Sequence, residues 1–134
     1  MKKKDLYTKT EPYAGMKNNA TLFTEVLGDY PLIRVLDYLI LGKDFDYSIS
    51  DITGGANVGW TTIHEILPKL EKLGIVKQTR KIGMAKLYRI NEKNYFASQL
   101  ISLYENLMKE SINRIIMAHK GKRVAKQKIK LAAR

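Results

Sequence analysis

Residues 50–73 read SDITGGANVGWTTIHEILPKLEKL. They predict two short helices joined by a tight turn. Ser50 is a good N-cap for a brief helix from Asp51 to Ala56, and the Asp51 carboxylate suits the positive end of that helix. Asn57 is the expected turn residue, because asparagine tolerates left-handed backbone. Gly59 then begins a second helix. Ile63, Ile66, Leu67, Leu70 and Leu73 recur at helical spacing and make its buried stripe, and Gly74 stops it. Pro68 falls inside this helix and removes one backbone hydrogen bond, so a kink or loosening is expected at about Glu65–Leu67.

That stripe leaves an outer face of Trp60, Thr61, His64, Glu65, Pro68, Lys69 and Lys72. The face is polar but has no Lys or Arg before Lys69. Positive charge lies elsewhere. The chain of 134 residues carries a net charge of +11. Residues 1–17 are net +3, residues 69–93 net +6 and residues 120–134 net +7, whereas residues 18–68 are net −5. One segment and both ends are positive while the other half is acidic, which is the footprint of a polyanion-binding surface.

Working outward, residues 1–18 contain Pro12, Gly15 and few apolar groups, and read as a flexible arm. A short helix is expected from Thr21 to Leu27, ended by Gly28. Pro31 opens a stronger helix, PLIRVLDYLILG, because its missing N–H has no helical partner to lose. Leu32, Val35, Leu36, Leu39 and Ile40 are its expected core contacts. Tyr47-Ser48-Ile49 is a candidate for a very short strand. Downstream, Ile75–Lys81 and Ala85–Ile90 are β-prone runs around Ile82-Gly83-Met84, a hairpin signal. Strict alternation puts Lys77, Thr79 and Lys81 on one side of it and Gln78, Arg80 and Ile82 on the other.

From about Glu92 to Lys120 a long helical pattern follows. Phe96, Leu100, Leu103, Leu107, Ile112 and Ile115 share a broad face, which Ile101, Tyr104, Met108 and Ile116 widen. A small domain cannot cover so long an apolar face, so its first part is expected to pack on the domain and its later part on a second copy. Gly121 is expected to interrupt the helix, leaving residues 121–134 as a basic tail that is disordered or transiently helical.

The chain is long enough to bury roughly two-thirds of its unfolded surface, which suits one domain with appendages. There is no cysteine, so disulfides and thiolate sites are excluded and a cytoplasmic home is consistent. No run approaches the ~18 apolar residues of a membrane span. His64 and His119 lie on different elements, Gly54-Gly55 lacks the rest of a phosphate loop, and Asp44, Asp46 and Asp51 lack the glycine and glutamate of a calcium loop. Those aspartates are expected to be a solvated loop. No enzyme, metal or cofactor is expected.

A helix pair of this kind suits double-stranded DNA, with the N-terminal part of the second helix at base edges in the major groove. Backbone N–H groups at Gly59–Thr61 suit a phosphate. Thr61 can meet a phosphate or a thymine methyl, and His64 can donate to or accept from a base edge. Trp60 either anchors core or wing, or touches DNA. Thr62 is expected to pack between the two short helices, with DNA contact as its other role. Glu65 either accepts from a cytosine amino group or orients His64. Lys69 lies further along the same face. On the hairpin, Lys77, Arg80, Lys81 and Lys86 can reach the backbone, and Arg80, Lys81 and Lys86 lie nearest the tip.

The run from Asp29 to Asn91 resembles the winged helix-turn-helix regulators common in archaea, related to the MarR and ArsR types. The matching features are GDYPLIRVLDYLI, the SDI helix start, NVGWTTIHEILPKLEKLGIVK across the helix pair, and TRKIGMAKLYRIN as the wing. The resemblance implies a dimeric DNA-binding repressor or activator. By match, Trp60, Thr61, His64 and Glu65 face DNA and Arg80, Lys81 and Lys86 belong to the wing. Gly59 departs from the usual Ser or Thr cap, and Pro68 is unusual.

The expected architecture is therefore mainly α with a small β-hairpin. It has an arm (1–18), a winged helix-turn-helix domain (19–91), a dimerisation helix (92–120) and a basic tail (121–134). The expected role is a homodimeric DNA-binding transcription regulator, cytoplasmic and nucleoid-associated. The alternative is an adaptor or architectural protein of a partition or chromatin complex, with a protein partner and largely nonspecific DNA binding.

Overall fold

A computed structural model describes the backbone of residues 21–132 and the side chains of residues 21–121. The arm at residues 1–18 and the side chains of the basic tail lie outside the described residues. The elements are α1 (Leu22–Leu27), α2 (Pro31–Leu41), β1 (Tyr47–Ser48), α3 (Ile49–Ala56), α4 (Trp60–Lys72), β2 (Val76–Ile82), β3 (Ala85–Ile90) and α5 (Tyr95–Ala132). The strands form one antiparallel sheet in the order β1-β3-β2. The chain is mostly helical, with a small three-stranded sheet and a long C-terminal helix; α2, α3, α4 and the β2–β3 wing are arranged as a winged helix-turn-helix.

Local chemistry explains most boundaries. Thr21 caps α1, its hydroxyl accepting from the Thr24 N–H, and Gly28 ends it at φ 100°. Pro31 sits at the start of α2. The cap of α3 is a correction: Ser48, not Ser50, is the N-cap. The Asp51 N–H donates to the Ser48 hydroxyl (3.1 Å) while the Ser48 N–H donates to the Asp51 carboxylate (3.0 Å). This reciprocal box satisfies two end donors at once and starts the helix two residues early. Asn57 has φ 51°, the left-handed turn expected of it. Gly59 is the N-cap of α4, which runs unbroken through Pro68.

Phe23, Val35, Leu39, Ile52, Ile63 and Ile90 are fully buried where α1–α4 and the sheet meet. Burial of each such side chain contributes roughly 1.5–3 kcal/mol. Two expected core residues are not buried. Leu32 is 42% exposed in the first turn of α2, and Leu73 is 54% exposed at the C-cap of α4. Two charged residues of α2, Arg34 and Asp37, are buried instead. The Thr21 hydroxyl donates to Asp37 (2.8 Å).

α5 differs from expectation in its first turns. Its buried seam is Ala97, Ile101 and Tyr104, with Leu100, Leu107 and Met108 half-buried, whereas Phe96 and Leu103 are exposed; Ile112 and Ile115, in the later part expected to meet a second copy, are exposed in the single chain. The helix does not stop at Gly121 but continues to Ala132. A glycine costs a helix about 1 kcal/mol relative to alanine, which is not by itself a stop. Its 38 residues span about 57 Å. Asn94 joins it to the domain: its Oδ1 accepts from the Ala97 N–H (3.0 Å) and its Nδ2 donates to the Leu73 carbonyl (3.0 Å).

Candidate nucleic-acid interface

The turn between α3 and α4 is held from below by Arg34. Its Nε donates to the Ala56 carbonyl (3.0 Å), and a terminal nitrogen donates to that of Asn57 (3.1 Å). Another lies 3.3 Å from the Asp29 carboxylate. A guanidinium presents several donors in one rigid fork, so one side chain collects carbonyls that the end of α3 leaves unpaired. Arg34 was not singled out as a site residue. The available signal was a lone cation inside the apolar run PLIRVLDYLI. Gly55 matters on the same side, because a β-carbon there would collide with the ring of Tyr38.

This support leaves one face of α4 outward. Gly59, Trp60, Thr61, His64, Glu65, Pro68 and Lys69 are exposed and Thr62 is half-buried. Gly59 supplies no side-chain cap to the first turn. Trp60 is 59% exposed, and its ring lies 4.6 Å from that of His64. His64 Nδ1 donates to the Trp60 carbonyl (2.8 Å), since a carbonyl only accepts. In the neutral ring, Nε2 is then an acceptor. Trp60 thus holds the histidine through its carbonyl and its ring.

The wing departs from strict alternation. Val76, Lys77 and Gln78 pair with Ile90, Arg89 and Tyr88, but Arg80 pairs with Leu87 and Lys81 with Lys86. Thr79 is the extra residue of a β-bulge. Arg80 therefore shares a face with Lys77, Leu87 and Arg89, and Lys81 shares the other with Gln78, Lys86 and Tyr88. The expected grouping of Lys77 with Lys81 is corrected on this ground. Gly83, at φ 60°, turns the tip.

Lys69, Lys77, Lys81 and Lys86 are exposed and are in no ion pair among the described residues. Arg80 differs. Its Nε donates to Asp46 Oδ2 (2.9 Å) and a terminal nitrogen to Oδ1 (3.2 Å), while the Thr79 hydroxyl donates to Oδ2 (2.6 Å). The bond from Arg80, then that from Thr79, lowers the Asp46 pKa to about 2. Asp46 and Asp51 are thus structural partners rather than a solvated acidic loop. Nothing in the spacing announces the role of Asp46, because it exists only across the sheet.

No protein-family model matches the chain, and no curated protein matches it. Among solved structures, the chain is similar to the crystal structure of Sso10a-2, a DNA-binding protein from Sulfolobus solfataricus, at 19% identity and a TM-score of 0.45. The match covers 68% of this chain and 92% of that one. Among the described residues no helix is long and apolar enough to cross a membrane.

Proposed function

We propose that the protein is a DNA-binding transcription regulator that acts as a homodimer, with α4 in the major groove and the wing on the sugar–phosphate backbone. The observation that carries this reading is the pairing of two unlike surfaces. The start of α4 offers exposed groups with base-reading chemistry: the Thr61 hydroxyl and methyl, His64 Nε2 and the Glu65 carboxylate. The wing offers exposed cations at Lys77, Lys81 and Lys86 that have no acidic partner among the described residues, and α4 adds Lys69 in its last turn. Base edges supply discrimination and phosphates supply affinity, so the two surfaces divide the work as duplex readers do. Gly59, Trp60, Thr61, Thr62, His64, Glu65, Lys69, Lys77, Arg80, Lys81 and Lys86 form the proposed interface.

The dimer rests on α5. Ile112, Ile115, Ile116 and Met117 are exposed around its middle. An open apolar groove lined by Leu73, Ile75, Phe96, Leu100 and Leu103 lies at its proximal half. Apolar surface of this extent on a helix fits a partner helix. To this reading belong a division into arm, winged domain, dimerisation helix and basic tail, nucleoid association in the cytoplasm, and a regulator of MarR or ArsR type.

Selection of preferred sites from a pool of random duplexes at physiological salt tests the reading. Enrichment of a common site is expected. Affinity without enrichment supports an architectural or adaptor role instead.

A further inference from the structure

Asp46 lies one residue before β1, and Arg80 lies on β2 at the far edge of the sheet. Strand β3 runs between them, yet the two side chains form a two-point ion pair. The pair exists because Thr79 is an extra residue in β2. Without that bulge, alternation would put Arg80 on the opposite face of the sheet from Leu87. Thr79 itself donates to the same carboxylate.

The exposures of the two partners differ. The Arg80 side chain is 61% exposed and that of Asp46 only 18%. The carboxylate is therefore the inner member and the guanidinium the outer one. Asp46 takes the Nε–H and one N–H of a terminal nitrogen. A guanidinium has five N–H donors, so three remain on the outer edge. Among the described residues they have no other hydrogen-bonding partner.

Resting on the reading that the wing meets DNA, we propose that Asp46 is a positioning residue for the wing arginine. It holds the inner edge of Arg80 so that the outer edge is presented, pre-aimed, to a nucleic-acid phosphate. A free arginine on an exposed hairpin loses side-chain freedom when it docks; one already clamped loses less.

Simple electrostatics makes the opposite forecast. Replacing a carboxylate near DNA by an amide raises the net charge by one, which favours a polyanion. The sign of the effect therefore tests the idea. Binding of the full chain to a duplex pool is measured from about 50 to 200 mM salt for the unaltered protein, Asp46→Asn, Arg80→Ala and the double variant. Asp46→Asn is expected to weaken binding several-fold, with a log–log salt slope shallower by up to about 0.9, the share of one phosphate contact. The double variant is expected to match Arg80→Ala, because Asp46 acts through Arg80. Asp46→Asn also removes an ion pair from the fold, so binding is compared at a temperature where circular dichroism shows every variant fully folded, which separates this from general unfolding. Equal or tighter binding by Asp46→Asn, beside a weakened Arg80→Ala, overturns the inference and leaves the DNA-binding reading standing. Failure of the unaltered chain to bind duplex overturns both.

Discussion

The Arg34 Nε lies 3.0 Å from the carbonyl oxygen of Ala56, tying the middle of α2 to the end of α3 just before the turn that launches α4. The guanidinium and its bond to Ala56 are buried, so no water replaces it at that carbonyl. Arg34→Met is expected to lower stability by at least about 2 kcal/mol, the scale of leaving buried acceptors unsatisfied. Arg34→Lys should rescue little, because an ammonium cannot span Ala56, Asn57 and Asp29 with one fork. Urea denaturation checks both. Stability equal to that of the unaltered protein in either variant would remove Arg34 from this role.

The two adjacent glycines of α3 should respond in opposite directions. Gly54 has open space where a β-carbon would go, and alanine there should stabilise the helix by roughly 0.5–1 kcal/mol. At Gly55 the same change meets the Tyr38 ring and should destabilise. Thermal unfolding of the pair of variants measures the difference.

On DNA, His64→Ala should change preference among sites, with mismatches at the affected position no longer costing about 1–3 kcal/mol. Lys81→Ala and Lys86→Ala should weaken all sequences alike and reduce the salt slope by about 0.9 each. Site selection and salt titration separate the two behaviours. A uniform effect of His64→Ala would take that residue out of base readout.

Sedimentation should give about twice 15.4 kDa. Ile112→Lys with Ile115→Lys should yield a monomer of unchanged fold, since both residues are exposed in the single chain. A monomeric unaltered protein at micromolar concentration would refute the proposed interface.

Two groups tie stability to pH with opposite signs. Asp46 is depressed to about 2 from 3.8, so its contribution is complete above the unfolded value and is lost as pH falls towards 2. Tyr104 is pushed up to about 12 from 10.0, first by burial and then by the Asp37 charge. Its neutral form is favoured in the fold, so its contribution is complete below pH 10 and disappears as pH rises to 12. Asp46→Asn should flatten the acid limb of a stability profile and Tyr104→Phe the alkaline limb.

Much of the winged domain is legible in one dimension because its signals are local. Pro31, Asn57, Gly74 and Gly83 mark ends and turns through their own backbone preferences. Ile63, Ile66, Leu67 and Leu70 mark a face through spacing alone. The Ser48–Asp51 box was equally local, but Ser50 offered a rival cap two residues on. The rivalry is resolved by the pairing of Tyr47 with Tyr88, which holds the chain extended up to Ser48.

Spacing alone therefore establishes the order of helices and strands, the outward face of α4 and the placement of charge, since each depends on residues within a few positions of one another. The burial of Arg34, the seam Ala97–Ile101–Tyr104 on α5 and the bulge that turns Arg80 towards Asp46 required the assembled fold. Each depends on partners 22 or more positions away in the chain. Whether a charge is buried, or a strand slips by one residue, is set by what lies across the sheet or beneath the helix, and periodicity carries no record of that neighbour.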